Sequence, residues 1–154
     1  MATKRNSSRP RPSPPKTTAS EVAPGVFVGG WKDAAGFQGT RFCVLDEAPD
    51  GPIPAETLVP VYDPAGDSPI RANLDRLATL AAAARRREEP VLFFCGHGVR
   101  RGPLAAAWFL HRHEGVSLEV AYDRIRAVRP QVETAKEWAG DVSVLAEARP
   151  PARR

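Results

Sequence analysis

Val91-Leu92-Phe93-Phe94 runs directly into Cys95, and Gly96-His97-Gly98-Val99-Arg100-Arg101-Gly102-Pro103 follows. These residue types in this order suit a site that binds a phosphate and attacks its phosphorus with sulfur. A strand ending at Cys95 would deliver the thiol to the edge of a sheet. Gly96 and Gly98 accept backbone angles that other residues resist, so successive N–H groups from Gly96 through His97, Val99 and Arg100 can curl around an anion. Pro103 fits the first turn of a helix, whose positive end would then point at the same spot. Arg101 can close the ring with a planar, two-pronged contact to phosphate oxygens. Such surroundings favour the thiolate, which is the nucleophilic form. Cys95 alone would read as a small hydrophobe at the end of a core strand. A core cysteine, however, requires none of Gly98, Arg101 and Pro103 around it.

The elements that must position this loop are legible in outline. Val26-Phe27-Val28 and Phe42-Cys43-Val44-Leu45 read as short strands, and Thr57 to Val61 and Val91 to Phe94 as two more. The last two are mostly apolar, as fits strands covered on both faces. Ile70, Leu74, Leu77, Leu80, Ala81 and Ala84 mark one face of a helix that ends near Arg85-Arg86-Arg87, a basic run suited to a solvated helix C-terminus. Three more helices are predicted over Pro103 to Arg112, Leu118 to Val128 and Thr134 to Ala146, with Gly115 and Pro130 as stop signals. Strands alternating with helices predict an α/β fold: a central sheet flanked by helices, with the phosphate loop between a strand and a helix. Ligands of such sheets sit at the C-terminal edge of the strands.

The 154 residues suit one domain with a single core. Residues 1–20 are expected to form a disordered Pro/Ser-rich tail, 21–148 the folded domain, and 149–154 a short basic tail. Five of the 22 basic residues (Lys4, Arg5, Arg9, Arg11 and Lys16) lie in that first tail without an acid, leaving 17 basic against 18 acidic residues, a net of −1. The folded part therefore carries no electrostatic case for a nucleic-acid surface. No apolar run approaches membrane-spanning length. Two cysteines, Cys43 and Cys95, make no disulfide framework, and a reducing, cytoplasmic setting suits a catalytic thiol. Cys95, His97, His111 and His113 lack a zinc-ligand spacing, so no metal is expected. Oligomeric state is not legible.

Cys95 through Arg101 resembles the Cys-x5-Arg phosphate loop of the cysteine-dependent protein phosphatases, with Gly98 at the family's internal glycine. Val22-Ala23-Pro24-Gly25-Val26-Phe27-Val28-Gly29 is similar to the opening hairpin of the dual-specificity branch. Leu58-Val59-Pro60-Val61-Tyr62-Asp63 is similar to the strand that carries its general acid. Leu118-Glu119-Val120-Ala121-Tyr122, ending at Val128-Arg129-Pro130, is similar to the helix after the loop. The resemblance spans about residues 22–146. It implies a phosphoric monoester hydrolase working through a cysteinyl-phosphate, without a cofactor, on a phosphorylated protein or a small phosphate ester. Cys95 would be the nucleophile, Arg101 would hold the phosphoryl group, and Asp63 would protonate the leaving oxygen. Asp67, in the same loop, is the alternative acid. His97 is a candidate for substrate recognition, and Arg100 for an outward contact.

Two positions depart from the family pattern. The family has histidine immediately before its cysteine, where this chain has Phe94, and serine or threonine after its arginine, where this chain has Gly102. The first helps position the loop and favour the thiolate; the second stabilises sulfur as it leaves in the second step. The expectation is a less readily ionised thiol and slow release of phosphate. A non-catalytic phosphate-binding module is one rival reading. Cys95-x-x-Gly98-x-Arg100 is also the shorter loop of rhodanese-like sulfurtransferases, although their Gly-Gly-x-x-Trp continuation is missing: the only Gly-Gly, Gly29-Gly30, comes long before.

Overall fold

A strand with five consecutive apolar or sulfur side chains needs cover on both faces. In the computed structural model of the chain, which describes residues 19–44, 57–58 and 70–135, that strand lies in the middle of the sheet. The described strands are β1 (Ser20–Ala23), β2 (Val26–Gly30), β3 (Thr40–Cys43), β4 (Thr57–Leu58) and β5 (Val91–Cys95), in the spatial order β1-β2-β5-β3-β4. β1 and β2 form an antiparallel hairpin, and the other pairings are parallel. All five residues of β5 are buried. The chain passes from β2 out to β3 and β4, then returns through a helix to insert β5 between β2 and β3. The C-terminal end of β5 is therefore flanked by both parallel neighbours.

Alternation along β5 divides the core in two. Val91, Phe93 and Cys95 face the main cluster, which is closed by α2 (Ile70–Arg86), α3 (Arg101–Glu114) and α4 (Leu118–Val128). Leu92 and Phe94 face a smaller cluster with Cys43 and Ala34, the latter on the short α1 (Trp31–Ala34). Among the described residues, the three long helices thus cover one face of the sheet. Trp108 of α3 is wholly buried, and its indole N–H donates to Asp75 Oδ1 at 2.7 Å, so the apolar burial of the ring leaves no unpaired donor.

Most of the expected elements are found, with shifted ends. α4 has the predicted bounds; Ser117 caps it by accepting the Val120 N–H. α3 stops before Gly115, whose φ of 74° is the left-handed geometry that ends a helix. α3 begins at Arg101, two residues before the predicted start, because Pro103 occupies the third position of its first turn, where a missing N–H costs no helical bond. β3 is Thr40–Cys43, shifted toward the N-terminus from the predicted Phe42 to Leu45. β5 takes in the apolar run Val91 to Phe94 and ends at Cys95, the strand end expected to deliver the thiol to the sheet edge. The hairpin expected over Val22 to Gly29 is present as β1 and β2, with β1 starting two residues earlier at Ser20, whereas the turn of helix at Trp31 was not predicted. Thr134 and Ala135 are not helical, so the last predicted helix does not begin at Thr134. The remainder of that helix, the N-terminal tail to residue 18, the C-terminal tail, Asp63 and Asp67 lie outside the described residues.

Candidate active site

Cys95 ends β5, is 4% exposed, and receives two backbone donors on its sulfur: Gly98 N–H at 3.2 Å and Gly102 N–H at 3.3 Å. The second comes from the first turn of α3. Arg100, the N-cap residue of that helix, makes no side-chain capping bond, and the sulfur takes one of the donors a cap would take. The positive end of a 14-residue helix and an N–H from the loop thus converge on the thiol, a field that favours an anion there.

The loop between β5 and α3 has a second, less visible regularity. The carbonyl of Gly96 accepts from Trp31 N–H, and the carbonyls of His97 and Gly98 from Arg129 Nη2 and Nε. The Val99 carbonyl accepts from Glu133 N–H, and the Arg100 carbonyl from Leu104 N–H. Every carbonyl from Gly96 to Arg100 is held by a partner outside the loop. No peptide bond in the described chain is cis. A trans peptide carries its C=O and N–H on opposite sides, so tying each carbonyl outward turns the next N–H inward. Gly98 N–H, on the peptide whose carbonyl Arg129 holds, is the case seen directly, since it reaches the sulfur.

This curl demands close approach. Gly98 has φ +70°, and a Cβ there would stand 2.6 Å from Arg129 Nη2 and 2.8 Å from the backbone carbon of Gly29. A Cβ on Gly30 would lie 2.8 Å from the Gly96 carbonyl oxygen. The Gly29-Gly30 pair at the end of β2 is therefore the floor on which the loop rests. Asp33 closes that corner: it is 7% exposed and its Oδ2 accepts from Gly30 N–H at 2.8 Å.

Arg129 is the residue that sequence reasoning passed over. It is 2% exposed, follows α4, and spans from the loop to β1, where Nη1 meets Ser20 Oγ at 3.0 Å. Burial lowers the guanidinium pKa below its ordinary value, opposed by the charges of Asp33 and Cys95 nearby. The signal was present as Val128-Arg129-Pro130, read only as the end of a helix. The segment from Arg129 is held down by Tyr122, whose hydroxyl accepts Ala135 N–H, and by buried Val132 and Ala135.

The other predicted positions fall as follows. Arg101 opens α3 and is partly exposed. His97 is exposed, Gly96 and Val99 are half-buried, and exposed Arg100 pairs with Glu133 at 3.7 Å. Phe94 is fully buried, on the face of the sheet opposite Cys95. A side chain at that position acts on the sulfur only through backbone, and a phenyl ring offers no donor. Gly102 is buried, and a Cβ on it would stand 3.6 Å from Cys95 Sγ and 3.0 Å from the Phe93 carbonyl oxygen. Among the described residues no group of histidine, cysteine and carboxylate side chains could hold a metal ion.

A mixed sheet, parallel around its central strand, thus carries a thiol at that strand's C-terminal edge, with Gly98 and Gly102 N–H groups on the sulfur and an arginine opening the helix that follows. No family model matches the chain. Human dual specificity phosphatase 28 is 32% identical over 132 residues, covering 79% of this chain and 73% of that protein. The crystal structure of the same human protein superposes with a TM-score of 0.68 at 28% identity, over 88% of this chain and 96% of that one. Rat dual specificity protein phosphatase 12 is 29% identical over 133 residues, 78% of this chain but 39% of the rat protein. The chain belongs to the dual specificity phosphatase family.

Proposed function

We propose that this chain hydrolyses phosphoric monoesters through a cysteinyl-phosphate on Cys95. The observation that carries the reading is the loop itself: its five carbonyls are tied outward while the sulfur accepts Gly98 and Gly102 N–H groups. An anion cradle around a thiol has no use in a purely structural strand end. In the first step the sulfur lone pair forms an S–P bond as the P–O bond to the leaving group breaks. Asp63 gives its proton to the departing oxygen. In the second step Asp63 takes a proton from water, the water oxygen bonds to phosphorus, and the S–P bond breaks to release inorganic phosphate. The inward N–H groups and Arg101 hold the three equatorial oxygens, where charge is spread in the transition state. Gly96, His97, Gly98, Val99 and Arg100 supply the backbone of that cradle. No described helix is long and apolar enough to cross a membrane, and a reducing cytoplasmic setting suits the free thiol.

Gly102 makes the second step the slow one. The sulfur leaving phosphorus finds the Gly102 N–H but no hydroxyl, so its developing charge is less well held than with serine or threonine in place. Time-resolved phenolate release from an aryl phosphate at mildly acidic pH, with Cys95→Ser alongside, tests both statements. The expected trace is a Cys95-dependent burst of one equivalent followed by slow turnover. Release unaltered in Cys95→Ser would refute the thiol mechanism. No release at all would favour a phosphate-binding module and call for a sulfur-transfer assay with thiosulfate.

A further inference from the structure

We propose that Arg129 is the positioning residue of the phosphate loop: it sets the direction of the loop's N–H groups and so the strength with which the site holds an anion. This deepens the phosphatase reading and rests on it. Arg129 acts on the site through the loop's carbonyls. Its two loop contacts, Nη2 to the His97 carbonyl at 3.0 Å and Nε to the Gly98 carbonyl at 2.9 Å, lie on consecutive peptides. Each contact draws a negative carbonyl end away from the anion site and turns the opposite, positive end toward it. A planar guanidinium suits this task because two of its N–H groups project in a fixed fork; a lysine ammonium cannot span both carbonyls and Ser20 together.

Without Arg129 the Gly98 peptide could flip. Gly98, at φ +70°, has no side chain to resist rotation, and a flip would aim a carbonyl at the sulfur in place of an N–H. The other outward carbonyls are held by backbone N–H groups from Trp31, Glu133 and Leu104, which no side-chain change removes. Arg129 is thus the single side chain that holds loop carbonyls outward among the described contacts. It is itself held in place by Ser20 Oγ and by the charge of Asp33 on α1, so the loop is referenced to both the first strand and the end of the last described helix.

The test is the pH profile of Cys95 alkylation by iodoacetamide in the full chain, with and without inorganic phosphate, for wild type, Arg129→Met, Arg129→Lys and Arg124→Met. Arg124 sits on the exposed side of α4, paired with Glu114, and controls for loss of an arginine from that helix region. For Arg129→Met the expected result is an alkylation midpoint moved to higher pH. Protection by phosphate should be weaker by about tenfold, the worth of one charge-assisted hydrogen bond. Arg129→Lys should lie between, and Arg124→Met should match wild type. Wild-type midpoint and protection in a folded Arg129→Met would overturn the proposal. Should Arg129→Met fail to fold, a wild-type profile in Arg129→Lys overturns it equally. Phosphate that fails to protect even the wild-type thiol would count against the phosphatase reading, while the shift in midpoint would still judge Arg129.

Discussion

β5 has two ends, and they use the same backbone chemistry for opposite purposes. At its start, Val91 N–H donates to the Gly25 carbonyl, Thr40 N–H to the Pro90 carbonyl, and Thr40 Oγ1 to Glu89 Oε1 at 2.6 Å. Donors and acceptors there satisfy one another, and the result is a clasp. At the other end the carbonyls of the loop are satisfied from outside, and the Gly98 N–H turns toward a thiol. What distinguishes a reactive edge from a closed one is which half of each peptide has been given away. The two buried cysteines repeat the lesson. Cys43 and Cys95 end adjacent strands and are 3% and 4% exposed. Cys43 is in register with Phe94 and shares its face, so Cys95 points the opposite way. A disulfide between them would need the sheet to rearrange.

The largest way to break the contrast is to remove the proton donor proposed for the loop edge. Asp63→Asn should lower turnover of an alkyl phosphate by two to four powers of ten, roughly the worth of general acid catalysis, with a much smaller loss on an aryl phosphate whose leaving group needs no proton. Equal losses on both substrates would remove Asp63 from the acid role and turn attention to Asp67.

Next comes the curl of the loop. Gly98→Ala places a side chain at φ +70° against Arg129 and Gly29, at a strain of about 1–3 kcal/mol. The burst rate should fall by about tenfold or more, while melting temperature changes modestly. An unchanged burst would mean that the Gly98 N–H is not part of the cradle.

Gly102→Ser should sharpen the contrast instead. Its Cβ would sit 3.6 Å from Sγ, with the Phe93 carbonyl yielding a few tenths of an ångström, and the hydroxyl can then reach the sulfur. Steady-state release of phosphate should rise by roughly tenfold while the burst rate stays constant, a gain of one hydrogen bond to a charged group in the second step. A faster burst with the same steady state would place the defect elsewhere.

At the closed side the effects are small. Cys43→Ala should leave burst and turnover unchanged and lower stability by about 1 kcal/mol, the scale of losing one buried heavy atom. Glu89, at the start of β5, has its pKa lowered by the hydrogen bond from Thr40 and then by that from Arg87. A carboxylate whose folded pKa is depressed stabilises the fold above its unfolded pKa, and that contribution is lost as pH falls through the folded value. Melting curves of Glu89→Gln and wild type should therefore differ slightly at neutral pH and converge in acid. A difference that persists at low pH would show that the clasp does not depend on the charge of Glu89.

By itself the sequence determined the parts whose cause is local. The apolar run of β5, the bounds of α4 with Ser117 before it and Gly115 behind α3, and the spacing from Cys95 to Arg101 all follow from periodicity, capping and loop length. These depend on neighbours a few residues away, and a sequence displays such neighbours directly. Tertiary structure alone decided who holds the loop. Trp31, Arg129 and Glu133 lie tens of residues from the carbonyls they take, and they arrive there because β5 inserts beside β2 and the segment after α4 folds back over the loop. It also decided that Phe94 faces away from the site and that Cys43 cannot meet Cys95. Sheet register sets which faces two strands share, and register is a property of strands brought together by crossovers, not of either strand read alone.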